Sequence, residues 1–325
     1  MNFHKFTIAT LVALTLATTT SMLAQSQAAS HVVNTGPLER LLGLGTYRQP
    51  SAAAAVRPVP DAVALGLATA KVYHFASADY PGSSMSLVLD ENNTTVVGFS
   101  DLGGFTLRFG IYQVPRVPGS TGSLLTGINT TGEIVGIYFD LSGNQHGFLD
   151  NAGTFTTLDI GGGGTTTPFD INDSGEIVGY YMDASSVSHG FSTLDGGATY
   201  TIFDVPGATL TQAAGINSSG TISGLWIDSK SVNHGFLYSG GIFTSIDFPT
   251  ATGTTVIGIN DSNEVAGYYT DAAKVNHGFV YSAGNFNQVD VAGASATQLT
   301  RIKNKGQITG IYTDSNSEQH GLTGR

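Results

Sequence analysis

Ile171-Asn172-Asp173-Ser174-Gly175-Glu176-Ile177-Val178-Gly179-Tyr180-Tyr181-Met182-Asp183, followed shortly by His189-Gly190-Phe191, is the unit this chain repeats to its C-terminus. The histidines of the His-Gly step are His146, His189, His234, His277 and His320, at spacings of 43, 45, 43 and 43 residues. A period of that length, made of short alternating apolar runs broken by turn residues, is that of a propeller blade.

Each period offers four strands, here A to D. Strand A ends at Ile128, Ile171, Ile216, Ile259 and Ile302, and at Leu89 in a degenerate first repeat that reads as carrying an extra residue near Thr95. An Asn-x-x-Gly turn follows, with Gly132, Gly175 and Gly220 where a left-handed backbone is required. Asn263 replaces the glycine once, and asparagine is the other residue that tolerates that conformation. Strand B runs on as Glu133 to Phe139 and its equivalents. Strand C opens at the His-Gly step, and Gly240-Gly241 and Ala283-Gly284 mark the next hairpin. Strand D is a spacing of four from an aromatic, as in Phe75 to Asp79, Tyr112 to Arg116, Phe155 to Asp159, Tyr200 to Asp204, Phe243 to Asp247 and Phe286 to Asp290.

The ends of the chain decide how the array closes. Phe75 to Asp79 is a strand D with no blade before it, and the last period stops at Arg325 just after strand C. The expectation is an all-β, six-bladed β-propeller of four-stranded blades, the last blade closed by the N-terminal strand, which removes free sheet edges. An open solenoid of five repeats would leave both ends uncapped.

Residues 1–28 read as a secretory signal peptide: one lysine at Lys5, an apolar run from Phe6 to Leu16, and small residues at Ser26-Gln27-Ala28. The competing reading is an uncleaved anchor. Residues 29–70, rich in alanine with Pro50, Pro58 and Pro60, read as a linker or partly ordered arm, and residues 71–325 as the propeller repeat domain. A secreted, extracellular or periplasmic protein is expected, with no membrane insertion once the signal is removed. The absence of cysteine excludes disulfides and thiolate chemistry, and a net charge of -11 argues against nucleic acid as a partner.

The pattern Gly-Ile-Asn-x-x-Gly-x-Ile-Val-Gly-x-Tyr-x-Asp with a later His-Gly-Phe resembles the bacterial extracellular repeat proteins of the HAF family, over about Leu87 to Leu322. The chain has glycine where that family's His-Ala-Phe step has alanine. The resemblance implies export and a repeat fold, and it transfers no catalytic residue.

Five equivalent histidines could suggest a metal ring, but neighbouring blades should hold them too far apart to share an ion, so a structural hydrogen bond is expected for each, with no metal and no cofactor. The strand B aromatics Tyr138, Tyr181, Trp226, Tyr269 and Tyr312 read as packing between blades. Aspartates end strand B (Asp101, Asp140, Asp183, Asp228, Asp271, Asp314) and strand D (Asp79, Asp159, Asp204, Asp247, Asp290), making an acidic face on which each caps a turn.

Departures from the repeat mark the candidate ligand site. Asp170 and Arg301 break a run of glycines just before the strand A isoleucine, on opposite sides of the ring near its axis. Thr126, Thr300 and Gln298 are grouped with them, and Arg116 replaces a strand D aspartate. The leading reading is a non-catalytic propeller that binds a polar ligand, a glycan or other cell-surface component, through the acidic loop face. The alternatives are a hydrolase or lyase acting on polysaccharide with carboxylates of that face, and a structural envelope or matrix component. No residue is assigned a catalytic role, because nearly every acid has repeat copies where paired acids should be unique.

Overall fold

The structure, a computed structural model, describes residues 73–83, 85–161 and 165–325. The expected signal peptide and arm lie outside the described residues. In chain order, β1 (Phe75–Ser77) stands alone. Blade 1 comprises β2 (Ser86–Glu91), β3 (Thr95–Ser100), β4 (Gly103–Arg108) and β5 (Ile111–Gln113). Blade 2 comprises β6 (Gly122–Ile128), β7 (Ile134–Phe139), β8 (Gln145–Asn151) and β9 (Thr154–Leu158). Blade 3 is β10 (Thr166–Ile171), β11 (Ile177–Met182), β12 (Ser188–Thr193) and β13 (Thr201–Phe203). Blade 4 is β14 (Leu210–Ile216), β15 (Ile222–Ile227), β16 (Asn233–Ser239) and β17 (Ile242–Ile246). Blade 5 is β18 (Gly253–Ile259), β19 (Val265–Thr270), β20 (Asn276–Ser282) and β21 (Asn285–Gln288). Blade 6 is β22 (Ala296–Ile302), β23 (Ile308–Thr313) and β24 (Gln319–Gly324), and its fourth strand is β1.

The fold is thus the closed six-bladed propeller. β1 pairs antiparallel with β24 through Phe75 and Gly324, Ala76 and Thr323, and Ser77 and Leu322. Two further backbone bonds link His74 and Arg325, at 3.0 and 3.1 Å.

Local sequence explains the strand ends. Gly132, Gly175, Gly220 and Asn263 all adopt positive φ, Asn263 at 59°, so the asparagine does take over the glycine's left-handed role. The strand B glycine is required for a different reason: a Cβ at Gly136 would collide with the Leu124 carbonyl oxygen and the Phe148 ring. Every A–B ladder carries a bulge at the same place, between Val88 and Asp90, Leu125 and Gly127, Pro168 and Asp170, Ala213 and Gly215, Val256 and Gly258, and Leu299 and Arg301.

The bulge corrects the reading of the first blade. Strand A there ends at Glu91, and its turn is one residue shorter than the others: Glu91 pairs with Val96 where Ile128 pairs with Ile134. Asp90 therefore shares the position of Asp170 and Arg301.

The core lies between blades rather than within a single layer. Val97 of blade 1 packs with Leu125, Ile128 and Phe148 of blade 2, and Val135 of blade 2 with Ile171, Ile177 and Phe191 of blade 3. Tyr73, Phe75 and Leu322 join Val289, Val291 and Leu299 at the closing blade. Burial of two large apolar side chains from the N-terminal segment, at about 1.5–3 kcal/mol each, fastens the closure more firmly than three ladder pairs alone would.

Candidate functional site at the ring axis

Strand A lines the axis in every blade, so the turn after it opens onto one face of the disc. The strand B ends and strand D ends open onto the other. Asparagine is the recurrent residue of the A–B turn, and it serves two purposes. In blade 3 the Asn172 Oδ1 accepts the backbone N–H groups of Ser174 (3.1 Å) and Glu176 (2.9 Å), which closes its own turn. Its Nδ2 donates to the Asn217 carbonyl of the next blade at 3.1 Å.

The same donation runs round the ring, from Asn92 to Asn129 O (3.0 Å), Asn129 to Asn172 O (3.3 Å), Asn217 to Asn260 O (3.2 Å) and Asn260 to Lys303 O (3.4 Å). Lys303 replaces the sixth asparagine. It completes the girdle by ion pairing, its Nζ lying 2.6 Å from Asp90 Oδ1 in blade 1.

Beneath this girdle lie the buried charges. Asp90 is fully buried, and Arg301 and Asp170 are 2% and 5% exposed. Each aspartate pins two adjacent strand A backbones together: Asp90 Oδ2 accepts Ile128 N–H at 3.0 Å and Asp170 Oδ2 accepts Ile216 N–H at 2.9 Å. The Arg301 guanidinium reaches across the axis. Its Nη2 donates to Phe169 O (2.8 Å) and Thr126 O (3.4 Å), its Nη1 to Thr300 O (3.0 Å), and it lies 3.8 Å from carboxylate oxygens of both Asp90 and Asp170. The tetrad sets two carboxylates, Asp90 and Asp170, against two cations, buried Arg301 and the half-buried Lys303, so that each charge taken from water has a partner. Burial pushes the Asp170 carboxyl above its ordinary range, the Arg301 guanidinium opposing.

The glycines at the remaining three strand A positions follow from the same crowding. A Cβ at Gly258 would sit 2.6 Å from Arg301 Cα, and one at Gly127 would sit 3.0 Å from Asp170 Cα.

Asp170 and Arg301, expected on opposite sides of the axis as ligand contacts, do stand near the axis, but they are buried and lie 3.8 Å from each other as part of the floor. Thr126 and Thr300 do join them, though through backbone carbonyls. Their hydroxyls bridge blades instead, Thr126 to Pro168 O at 2.8 Å and Thr300 to Val88 O at 3.0 Å. Gln298 is buried in β22, and Arg116 is exposed on the other face of the disc.

Above the floor the girdle opens into a funnel of about 230 Å³, lined by residues of all six A–B turns together with Asp170 and Arg301. Its rim is not sixfold. Asn93 stands on blade 1, Asp173 on blade 3, Asp261 on blade 5, and Asn304 and Lys305 on blade 6. Glu91 takes the place of an isoleucine in its wall, and burial pushes its carboxyl above the usual range. Asp90, Lys303 and Glu91 are the residues that sequence reasoning missed. Aligning the first repeat on Asn92 instead of Leu89 would have found the first and third.

The opposite face carries the histidines. Each imidazole Nδ1 bonds the aspartate at the end of strand D: His146 with Asp159 (2.7 Å), His189 with Asp204, His234 with Asp247 and His277 with Asp290 (2.8 Å each), and His320 with Asp79 (3.1 Å). Each ring also stacks on its blade's strand B aromatic, as Trp226 on His234 with centroids 4.4 Å apart. These aromatics therefore pack on the histidine of their own blade, and Tyr138, Trp226, Tyr269 and Tyr312 also reach the clusters between blades. The strand B aspartates of blades 2 to 6 cap their turns as expected, with Asp183 Oδ1 accepting Ser185 N–H (2.8 Å) and Val187 N–H (2.9 Å), whereas in blade 1 the turn N–H of Leu102 is accepted by Ser100 Oγ at 3.1 Å.

Burial works against a charged His146, but its bonds and charge contacts with Asp159 and Asp140 outweigh it and raise its pKa. For His320 the Asp79 hydrogen bond raises it, burial opposing. A raised folded-state pKa gives stability that is complete below the unfolded value of about 6.5 and is lost as pH rises through the folded value. Asp140, held low by bonds from Asn144, adds stability lost only below about pH 4. The melting temperature should accordingly be higher near pH 5.5 than near pH 8, and the double variant His146→Gln/His320→Gln should flatten that slope in thermal melts. An unchanged slope would show that other groups set it.

Fold and site together define a closed six-bladed propeller with a polar axial funnel. No protein-family model matches the chain, and no curated protein matches it in sequence. Among solved structures it resembles TolB from Acinetobacter baumannii, with 10% identity, a TM-score of 0.50, and coverage of 75% of this chain and 65% of that one. It also resembles the six-bladed fucose-recognising lectin of the fungus Aleuria aurantia (10% identity, 74% and 93% coverage, TM-score 0.45). The sialidase of Trypanosoma rangeli is a third (8% identity, 85% and 59% coverage, TM-score 0.45). Likeness at these identities speaks to the propeller fold alone.

Proposed function

We propose that the protein is a secreted, non-catalytic binder of a polar ligand, a glycan or other cell-surface component, received at the axial funnel. The observation that carries this reading is the asymmetry of the rim. The fold needs the asparagine girdle and the charged floor, and it uses Asp173, Asp261 and Asn304 to accept a backbone N–H from the blade before, at 2.8–2.9 Å, but nothing in the fold requires Asn93 and Lys305 to stand on adjoining blades around an open polar concavity. The acidic face is the weaker candidate, since its strand B carboxylates are taken up by turn N–H groups and its strand D carboxylates by histidines. A volume of about 230 Å³ suits a small ligand or the end of a longer one, below the ~300–1,000 Å³ of larger pockets.

A second reading rests on Glu91, a funnel carboxyl with a raised pKa, which is the property a glycosidase proton donor needs. A glycan array probed with the protein, followed by assay of each hit for cleavage, separates the two. Binding without turnover, weakened about 3- to 10-fold in Lys305→Ala and Asn93→Ala at unchanged melting temperature, is the expected outcome, since lost hydrogen bonds of ~1 kcal/mol act here on exposed residues. Cleavage abolished by Glu91→Gln would favour the enzyme. Hits that bind both rim variants undiminished would remove the funnel as the site.

A further inference from the structure

Among the five His-Gly hairpins, blade 6 differs in one residue that changes its chemistry. The position two before the histidine is Asn144 in blade 2 and valine at Val187, Val232 and Val275 in blades 3 to 5, but Glu318 in blade 6. The donor atoms of Asp314, Glu318 and His320 lie within 4.8 Å of one another, the one such group of three metal-ligating side chains among the described residues. We propose that these three side chains bind one divalent first-row transition-metal cation, and that closure of the ring readies the site.

Three observations carry it. First, the histidine is oriented as a ligand. Its Nδ1 is engaged by Asp79 at 3.1 Å, which leaves Nε2 facing Asp314 Oδ2 at 3.8 Å, too far for a hydrogen bond. A carboxylate on the outer nitrogen of a metal-binding imidazole is the usual arrangement that fixes its tautomer and raises its basicity.

Second, the opposing side chains suit a cation. Asp314 Oδ1 is used by the Asn316 and Glu318 N–H groups, and Oδ2 is touched by the Asn316 amide at 3.2 Å, a contact an ion can displace or share. Glu318 is exposed and free to swing inward by the ångström or so that ligand distances of ~2.0–2.2 Å require. Two carboxylates and a neutral imidazole balance a divalent charge. The nitrogen donor favours Zn²⁺, Co²⁺ or Ni²⁺ over Ca²⁺, which takes oxygen ligands.

Third, Asp79 belongs to the N-terminal segment. In the other four blades the orienting aspartate follows the histidine by 13 or 15 residues, whereas here it lies 241 residues away and arrives only when β1 docks.

The test is titration of the metal-stripped full chain, without a histidine tag, with Co²⁺ and Zn²⁺, read by calorimetry and by the cobalt absorption spectrum. One equivalent should bind and should not be displaced by millimolar Ca²⁺. Glu318→Val, which installs the residue of three sister blades at an exposed position, should weaken binding at least 30-fold. Asp79→Asn should weaken it about 10- to 100-fold while leaving the stoichiometry at one, and His234→Gln should change nothing. Absence of saturable uptake, uptake by several blades alike, or full affinity in Glu318→Val would each overturn the assignment.

Discussion

Replacing Arg301 by alanine should destabilise the ring by about 3–5 kcal/mol, because it leaves Asp90 and Asp170 buried with one lysine between them. For a domain of this size that corresponds to a fall in melting temperature of roughly 10 °C or more. The loss should be larger near pH 8 than near pH 5. An orphaned buried carboxylate has a folded-state pKa above its unfolded value, so it opposes folding most where it would have to stay ionised. Adding Asp170→Asn should return part of the loss, since the amide oxygen can still accept from Ile171 or Ile216 while the charge is gone. A melt within about a degree of the parent would mean that the axial charges are dispensable, and that the floor tolerates water in their place.

Removing residues 29–80 should have an effect of similar or greater size. β24 would lose its partner strand, Phe75 and Tyr73 would leave the cluster around Leu299 and Leu322, and His320 and the Gly321 N–H would lose Asp79. Aggregation, or a melting temperature lowered by more than 10 °C, is expected from an exposed sheet edge and the lost burial. Cooperative melting of the truncated chain as a monomer at an unchanged temperature would sink the account of closure.

The architecture was legible because its determinants are local. Asn263 standing in for glycine, the 43-residue spacing of the His-Gly step and the unmatched strand D at Phe75 each speak through turn chemistry and period, which survive without any knowledge of packing. The axis was only half legible. Asp170 and Arg301 stood out as charges among glycines, but their burial, and with it their part in joining blades, depends on what faces them across the ring. Asp90 was hidden by a turn shortened by one residue, and Lys303 by occupying an asparagine position whose cross-blade donation no single repeat reveals. The funnel itself is a property of six turns assembled, so no stretch of sequence contains it.

The girdle has a direction, and this bears on how the ring is made. Each asparagine donates forward to a blade synthesised later, so these bonds can form in order as the chain lengthens, at separations of 37 to 45 residues. The last junction is of another kind. Asp90 must wait for Lys303, and Asp79 for His320, across more than 200 residues, and the entropy of closing so long a loop costs roughly 5 kcal/mol before any contact rewards it. Folding should then show a fast phase for the blades and a slow final one, with β1, which precedes every blade in the chain, the last of the described strands to find its place.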